Sequence, residues 1–160
     1  ANYGAVVMAA VRAGVPVLGA NLPRARMRDA MQLDNWDRHL GTEQLQTQRN
    51  NIREGHCGLL PEGQIATMTR IQIARDAAMA QTVMAARQPG KTVLLIAGGG
   101  HVDRALGVPT HLPENTSSKV VLALANYAQA ATNSGADAVW QTAALPPRDY
   151  CADMKKQMGR

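Results

Sequence analysis

The chain has 160 residues, 46% of them hydrophobic, with no Phe and only 3% aromatic residues. That length suits one globular domain with a core of Ala, Val, Leu, Ile and Met, and no apolar run approaches the roughly 18–20 residues that span a bilayer. Net charge is +5, and 13 of the 17 basic residues are Arg, spread along the chain. A nucleic-acid surface would gather such charges into a block with aromatics between them, so the chain reads first as a basic soluble protein, with guanidiniums that could also serve an anionic small molecule.

In chain order, residues 2–13 read as a helix closed by Gly14, and 15–20 as a short strand with Pro16 near its start. This apolar opening carries Arg12 and has no basic start, so it does not read as a signal peptide. With no initiator Met, the chain reads as a processed or truncated product. Asn21 stands at the end of the strand, and Pro23 opens a helix over 23–33. Further helices are predicted over 42–53 and 63–88, with loops at 34–41 and 55–62. Segment 22–90 has almost no strand signal.

Residues 92–97 then bring a continuous apolar run bounded by glycine-rich sequence, a strand buried on both faces. Gly98, Gly99 and Gly100 strip the following turn of side chains, so backbone can approach a ligand closely. His101 is the first functional group beyond it. A short helix is predicted over 102–106, closed by Gly107 and stopped by Pro109. Residues 111–118 read as a loop, 119–125 and 137–142 as strands, and 129–135 as a polar loop between them. Pro146 and Pro147 end regular structure before a short basic tail or helix.

This order predicts an α/β fold: a mainly parallel sheet flanked by helices, with a small helical subdomain inserted. Residues 1–21 and 91–160 form the α/β core, and 22–90 the insert. Strands joined through helices run parallel, so Asn21 and His101 emerge at one sheet edge beneath the insert. Open sheets bind ligands at such an edge.

On the 63–88 helix, Gln72, Arg75, Asp76 and Met79 fall at i, i+3, i+4 and i+7 and share a face, beside apolar Ile71, Ala74 and Ala78. Charges on a helix usually meet solvent. Turned towards the cleft, Arg75 would instead bind an acid group or pair with Asp76. His56, between Gly55 and Gly58 in a loop, is a second imidazole that would make a metal or haem site if it met His101. His39 and His111 have only loop context. Tyr3, Tyr127 and Tyr150 matter where a ferric haem takes a phenolate ligand. Cys57 and Cys151 pair in an oxidising compartment or stay free in a reducing one. No GxSxG, P-loop, CxxC, HExxH or Rossmann fingerprint occurs, which removes the commonest enzyme classes.

Five blocks in order, 16–24 (PVLGANLPR), 55–62 (GHCGLLPE), 70–80 (RIQIARDAAMA), 93–109 (VLLIAGGGHVDRALGVP) and 137–152 (DAVWQTAALPPRDYCA), cover nearly the whole chain. Together they resemble the ChaN-type haem-binding uptake lipoproteins, whose superfamily includes the Tiki proteases, TraB proteins and erythromycin esterases. The resemblance implies haem as cofactor and cargo, bound in a cleft between core and insert, in a bacterial iron-uptake protein of the periplasm or outer membrane. It implies a binding protein more than an enzyme. Dimers would hold haems face to face, an outer-membrane haem receptor would be a partner, and membrane contact would come only through an N-terminal lipid anchor. The haem-binding residues it points to are His101, His56, Asn21, Arg24, Gln72 and Arg75. His101 would be the iron ligand, or a hydrogen-bond partner to a Tyr ligand. It also implies export, and with it a Cys57–Cys151 disulfide. The Gly-Glu-x-His motif and lipid-bearing Cys of these proteins have no counterpart in the 160 residues, which read as the C-terminal portion of that plan. Tyr150 stands where similar proteins tend to have Pro. The esterase and protease branches suggest the alternative, a metal-dependent or His-based hydrolase with His101 as ligand or base.

Overall fold

The computed structural model describes residues 3–125, 135–144, 146 and 148–158. Tyr127, Pro147 and most of the expected 129–135 loop lie outside them. Among the described residues are six helices, α1 (Gly4–Arg12), α2 (Arg24–Gln32), α3 (Thr42–Gly55), α4 (Glu62–Ala85), α5 (Gly99–Val102) and α6 (Tyr150–Met158). They accompany two strands, β1 (Val121–Leu124) and β2 (Ala138–Gln141).

Helix starts and stops follow local chemistry. Pro23 and Pro61 stand immediately before α2 and α4 with φ of −57° and −56°, close to the value the ring imposes. α1 ends at Gly14, whose φ of +68° suits a residue without Cβ. The 34–41 loop contains a 3-10 turn, Asp34–Arg38, pinned to α4 by Arg70. That guanidinium donates to Asp37 from Nε at 3.1 Å and Nη2 at 2.6 Å, and from Nη1 to the Met31 carbonyl at 3.2 Å.

The core is built around α4. Ile65, Ile71, Ile73, Ala74, Ala77, Met79 and Ala80 are all buried along it, too many positions for one amphipathic stripe. Three apolar clusters explain this. Ala74 packs with Leu22 and Ala30, Ile73 with Leu40 and Leu106, and Met79 and Ala80 with Val108. Ala20, Leu95 and Ala97 close on the third cluster, so segments 15–20 and 93–97 meet α4 at one place.

The sheet corrects the sequence reading. β1 and β2 pair in parallel, with Val121 opposite Ala138 and Leu124 opposite Gln141, so the fold is mixed α/β. Helix dominates, however, and the described sheet has two strands, not a mainly parallel sheet throughout. Segments 15–20 and 92–97 are extended but pair with no strand among the described residues. Nor is 93–97 buried on both faces: Val93, Leu95 and Ala97 are half-buried, while Leu94 and Ile96 are 79% and 46% exposed. One side rests on α4, and the other has no covering layer among the described residues. Apolar β-branched composition favours an extended chain, but pairing requires a neighbour that composition cannot supply. The helix expected over 102–106 is also displaced: α5 ends at Val102, and Asp103 Oδ1 then accepts from the Ala105 and Leu106 amides in a turn.

Asp137 fastens the start of the strand pair. Its Oδ2 accepts from the Val120 amide at 2.7 Å and from the Arg104 guanidinium, and its Oδ1 from Lys119 at 3.3 Å. The Val120 amide, then Arg104 and Lys119, hold its carboxyl down to about 2. Arg104 also donates to the carbonyls of Gly135 and Ser118, tying the turn after His101 to both strands. At the other end, Cys57 and Cys151 form a disulfide with Cα atoms 5.6 Å apart, joining the end of α3 to α6.

Candidate functional site: a buried histidine–aspartate pair with an arginine rim

The site grows from two elements that cross. The middle of α4 contributes Gln72, Arg75 and Asp76. The four-residue α5, entered through Gly98, contributes His101. Asp76 has no exposed surface and His101 only 9%. His101 Nδ1 lies 2.5 Å from Asp76 Oδ1 and 2.9 Å from Gln72 Nε2.

Those two contacts compete, because Nδ1 has a single in-plane position that either gives or takes a hydrogen. The shorter bond, to a carboxylate, is the stronger. Nδ1–H therefore donates to Asp76, and the Gln72 amide keeps its other link, Oε1 accepting from Arg75 Nη1 at 3.4 Å. With the proton on Nδ1, Nε2 carries the lone pair. Nε2 has no hydrogen-bond partner among the described residues. Burial pushes the Asp76 carboxyl above its ordinary range, and the His101 hydrogen bond, then the charges of His101 and Arg75, oppose the shift.

Arg75 extends the network outward. Its Nε donates to Asn21 Oδ1 at 2.9 Å, so the chain of contacts runs Asn21, Arg75, Gln72, His101, Asp76. The structure thus turns the Gln72, Arg75 and Asp76 face towards His101, and brings Asn21 to it from 54 positions upstream of Arg75. Arg24, at the start of α2, is exposed and makes no bond to this network among the described residues. His56 is also apart from it. Its Nδ1 donates to the Ile52 carbonyl at 2.8 Å in its own helix, beside the disulfide. Tyr3 and Tyr150 are exposed, 46% and 63%, and Arg148 stacks over Tyr150 at 5.3 Å.

A Cβ added at Gly99 or Gly100 would meet only open space, so these two leave room along the turn that carries His101. The close backbone approach is at Gly107, where a Cβ would lie 2.3 Å from the His101 carbonyl oxygen and 3.0 Å from that of Gly100. A cavity of about 260 Å³ opens on the far side of the turn, lined by Asn51 of α3, Gly99, Gly100, Val102, Asp103 and Leu106, and by Leu122 and Leu124 of β1. His101 does not line it; its ring turns to α4.

Sequence reasoning passed over His39 and His111, whose rings stack in parallel with centroids 3.7 Å apart. His39 Nε2 donates to Thr110 Oγ1 at 2.9 Å, and that hydroxyl donates to the Gly107 carbonyl at 2.8 Å. Burial, then the neighbouring His39, lowers His111 to about 4. Seventy-odd residues separate the two rings, and no local pattern announces such a meeting.

No group of three or more His, Cys, Asp or Glu side chains gathers as a metal site among the described residues. No curated protein and no solved structure matches the chain. The family described as "Haem-binding uptake, Tiki superfamily, ChaN" matches residues 1–112, which include α1 to α5 and every residue of the His101 network. The chain belongs to that ChaN family of haem-binding uptake proteins.

Proposed function

We propose that this chain binds haem for bacterial iron uptake, with His101 facing the iron and Arg75 a carboxylate of the porphyrin. The observation that carries this is the His101 ring, clamped at Nδ1 and without a partner at Nε2 among the described residues, beside a half-buried guanidinium. The residues fit the group. An imidazole lone pair suits iron, a guanidinium suits a propionate, and the open space at Gly99 and Gly100 lets a flat ligand come near the turn. When bound, the iron would supply a Lewis-acidic centre, and His101 would be the residue that holds it. Arg75 orients the ligand edge, held by Asn21 and Gln72.

The domain reading joins this proposal. The His101–Asp76 bond connects residue 101 of the 91–160 core to residue 76 of the 22–90 insert, and the cavity is likewise walled by Asn51 from one and Leu122 and Leu124 from the other. His101 does not line the cavity of about 260 Å³, so a haem held by His101 would lie outside it, where a second copy would cover it. A disulfide closing a long loop supports an oxidising compartment such as the periplasm. An outer-membrane receptor would then be the natural donor of haem.

A second reading, a His-based hydrolase, is favoured by one observation: Nδ1 bound to a carboxylate with Nε2 open is also the geometry of a general base. Haem titration followed by absorbance, beside ester hydrolysis by the same sample, separates the two. Saturable binding with a Soret band altered in His101→Ala supports the first. Turnover lost in His101→Ala, with no haem uptake, supports the second and ends the first.

A further inference from the structure

Asp76 is the most deeply buried charged side chain described. It shares the interior of α4 with Ile73 and Thr69, the other large side chains with no exposed surface. It makes one contact of note, Oδ1 to His101 Nδ1 at 2.5 Å, and its buried Oδ2 has no partner among the described residues. Burying a carboxylate is costly, and an apolar side chain of similar size commonly fills such a place with equal or better stability. Arg75, next in sequence, turns away to Asn21 and Gln72 and gives Asp76 no hydrogen bond. The fold alone therefore has no need of an acid here.

We propose that Asp76 is a positioning residue for His101: by accepting Nδ1–H it fixes the imidazole as the tautomer whose Nε2 bears the lone pair, and aims that atom outward. This rests on the reading of His101 as the haem-facing group. Imidazoles that bind metals commonly give their other N–H to a carboxylate, which sets ring orientation and raises donor strength. Gln72 cannot substitute. Its amide nitrogen is a donor, and donation to Nδ1 would place the proton on Nε2 and abolish the lone pair there. Asp76 decides which neighbour wins.

Asp76→Asn reverses this choice at constant shape. An amide nitrogen facing Nδ1 donates to it, and the ring proton moves to Nε2. Long-range ¹⁵N–¹H spectra of the imidazole in haem-free protein, at mildly alkaline pH, read the tautomer directly. Nδ1–H in the unaltered protein, Nε2–H in Asp76→Asn, and haem affinity reduced about ten- to hundredfold in that variant are the expected results. An Nε2–H tautomer in the unaltered protein overturns the proposal, whether or not the variant folds. So does an Asp76→Asn protein with unchanged tautomer and affinity. The functional reading is judged separately: a haem spectrum indifferent to His101→Ala removes it, while the tautomer measurement still decides what Asp76 does to the ring.

Discussion

A single methyl group at Gly107 would collide with the His101 carbonyl. Backbone on both sides must move to admit it, which costs about 1–3 kcal/mol in a packed site. Gly107→Ala should therefore lower stability by that order in urea unfolding and weaken haem binding by more than the stability loss explains. Gly100→Ala makes the opposite case. Its Cβ meets nothing within 4 Å, so stability should hold within about 1 kcal/mol while haem affinity falls, because the methyl occupies the open space along the turn that carries His101. Equal affinity in Gly100→Ala would mean that this space is not used. Arg75 is tested in the same way: Arg75→Ala should weaken haem binding with little change in unfolding, since its partners Asn21 and Gln72 are themselves at the rim. The stacked histidines give a pH prediction. His111 titrates at about 4 when folded against 6.5 ordinarily, so between those values the unfolded chain takes up a proton that the folded chain refuses. The stabilisation is full above the ordinary value and lost as pH falls towards the folded one, by about 2–3 kcal/mol after allowance for partial exposure. Unfolding curves across this window should flatten in His111→Gln relative to the unaltered chain; parallel curves would place the acid sensitivity elsewhere.

Among the elements, α4 and the disulfide set stability. Ile73 is fully buried between Leu40 and Leu106, and truncating it to Ala should cost about 2–5 kcal/mol, measured as a lower urea midpoint at unchanged slope. The Cys57–Cys151 bridge spans 94 positions, for which the chain-entropy account gives at most about 4–5 kcal/mol. Thiol titration of the denatured, unreduced protein should find no free thiol, and reduction should lower the unfolding midpoint. Segments 15–20 and 93–97 teach the opposite lesson. Each is apolar and extended, yet neither has a ladder partner among the described residues, and half of 93–97 faces outward. Strand character belongs to a pair of segments, whereas an α-helix closes its hydrogen bonds within one segment. Accordingly α2, α3 and α4 lie close to where periodicity and flanking prolines place them, while the expected sheet shrinks to β1 and β2.

For the whole molecule, ligand binding and stability are one measurement. A ligand that binds only the folded chain adds about 2.7 kcal/mol to its stability at a hundredfold excess over Kd. Haem should therefore raise the melting temperature of this protein, and His101→Ala should abolish the rise without itself unfolding the chain. A rise that persists in His101→Ala would put the haem elsewhere. The sequence by itself determined helices α1 to α4, the turn at Gly14, the shared face of Gln72, Arg75 and Asp76, and the family, because these depend on residues near one another or on their order along the chain. Only the tertiary structure decided that Asp76 goes inside to His101 and Arg75 outward to Asn21, that backbone leaves no room for a side chain at Gly107, that His39 stacks on His111, and that two of the four expected strands find no neighbour among the described residues. Each of these depends on which distant group arrives at a given point, and that is fixed by packing around α4 rather than by any spacing in the chain.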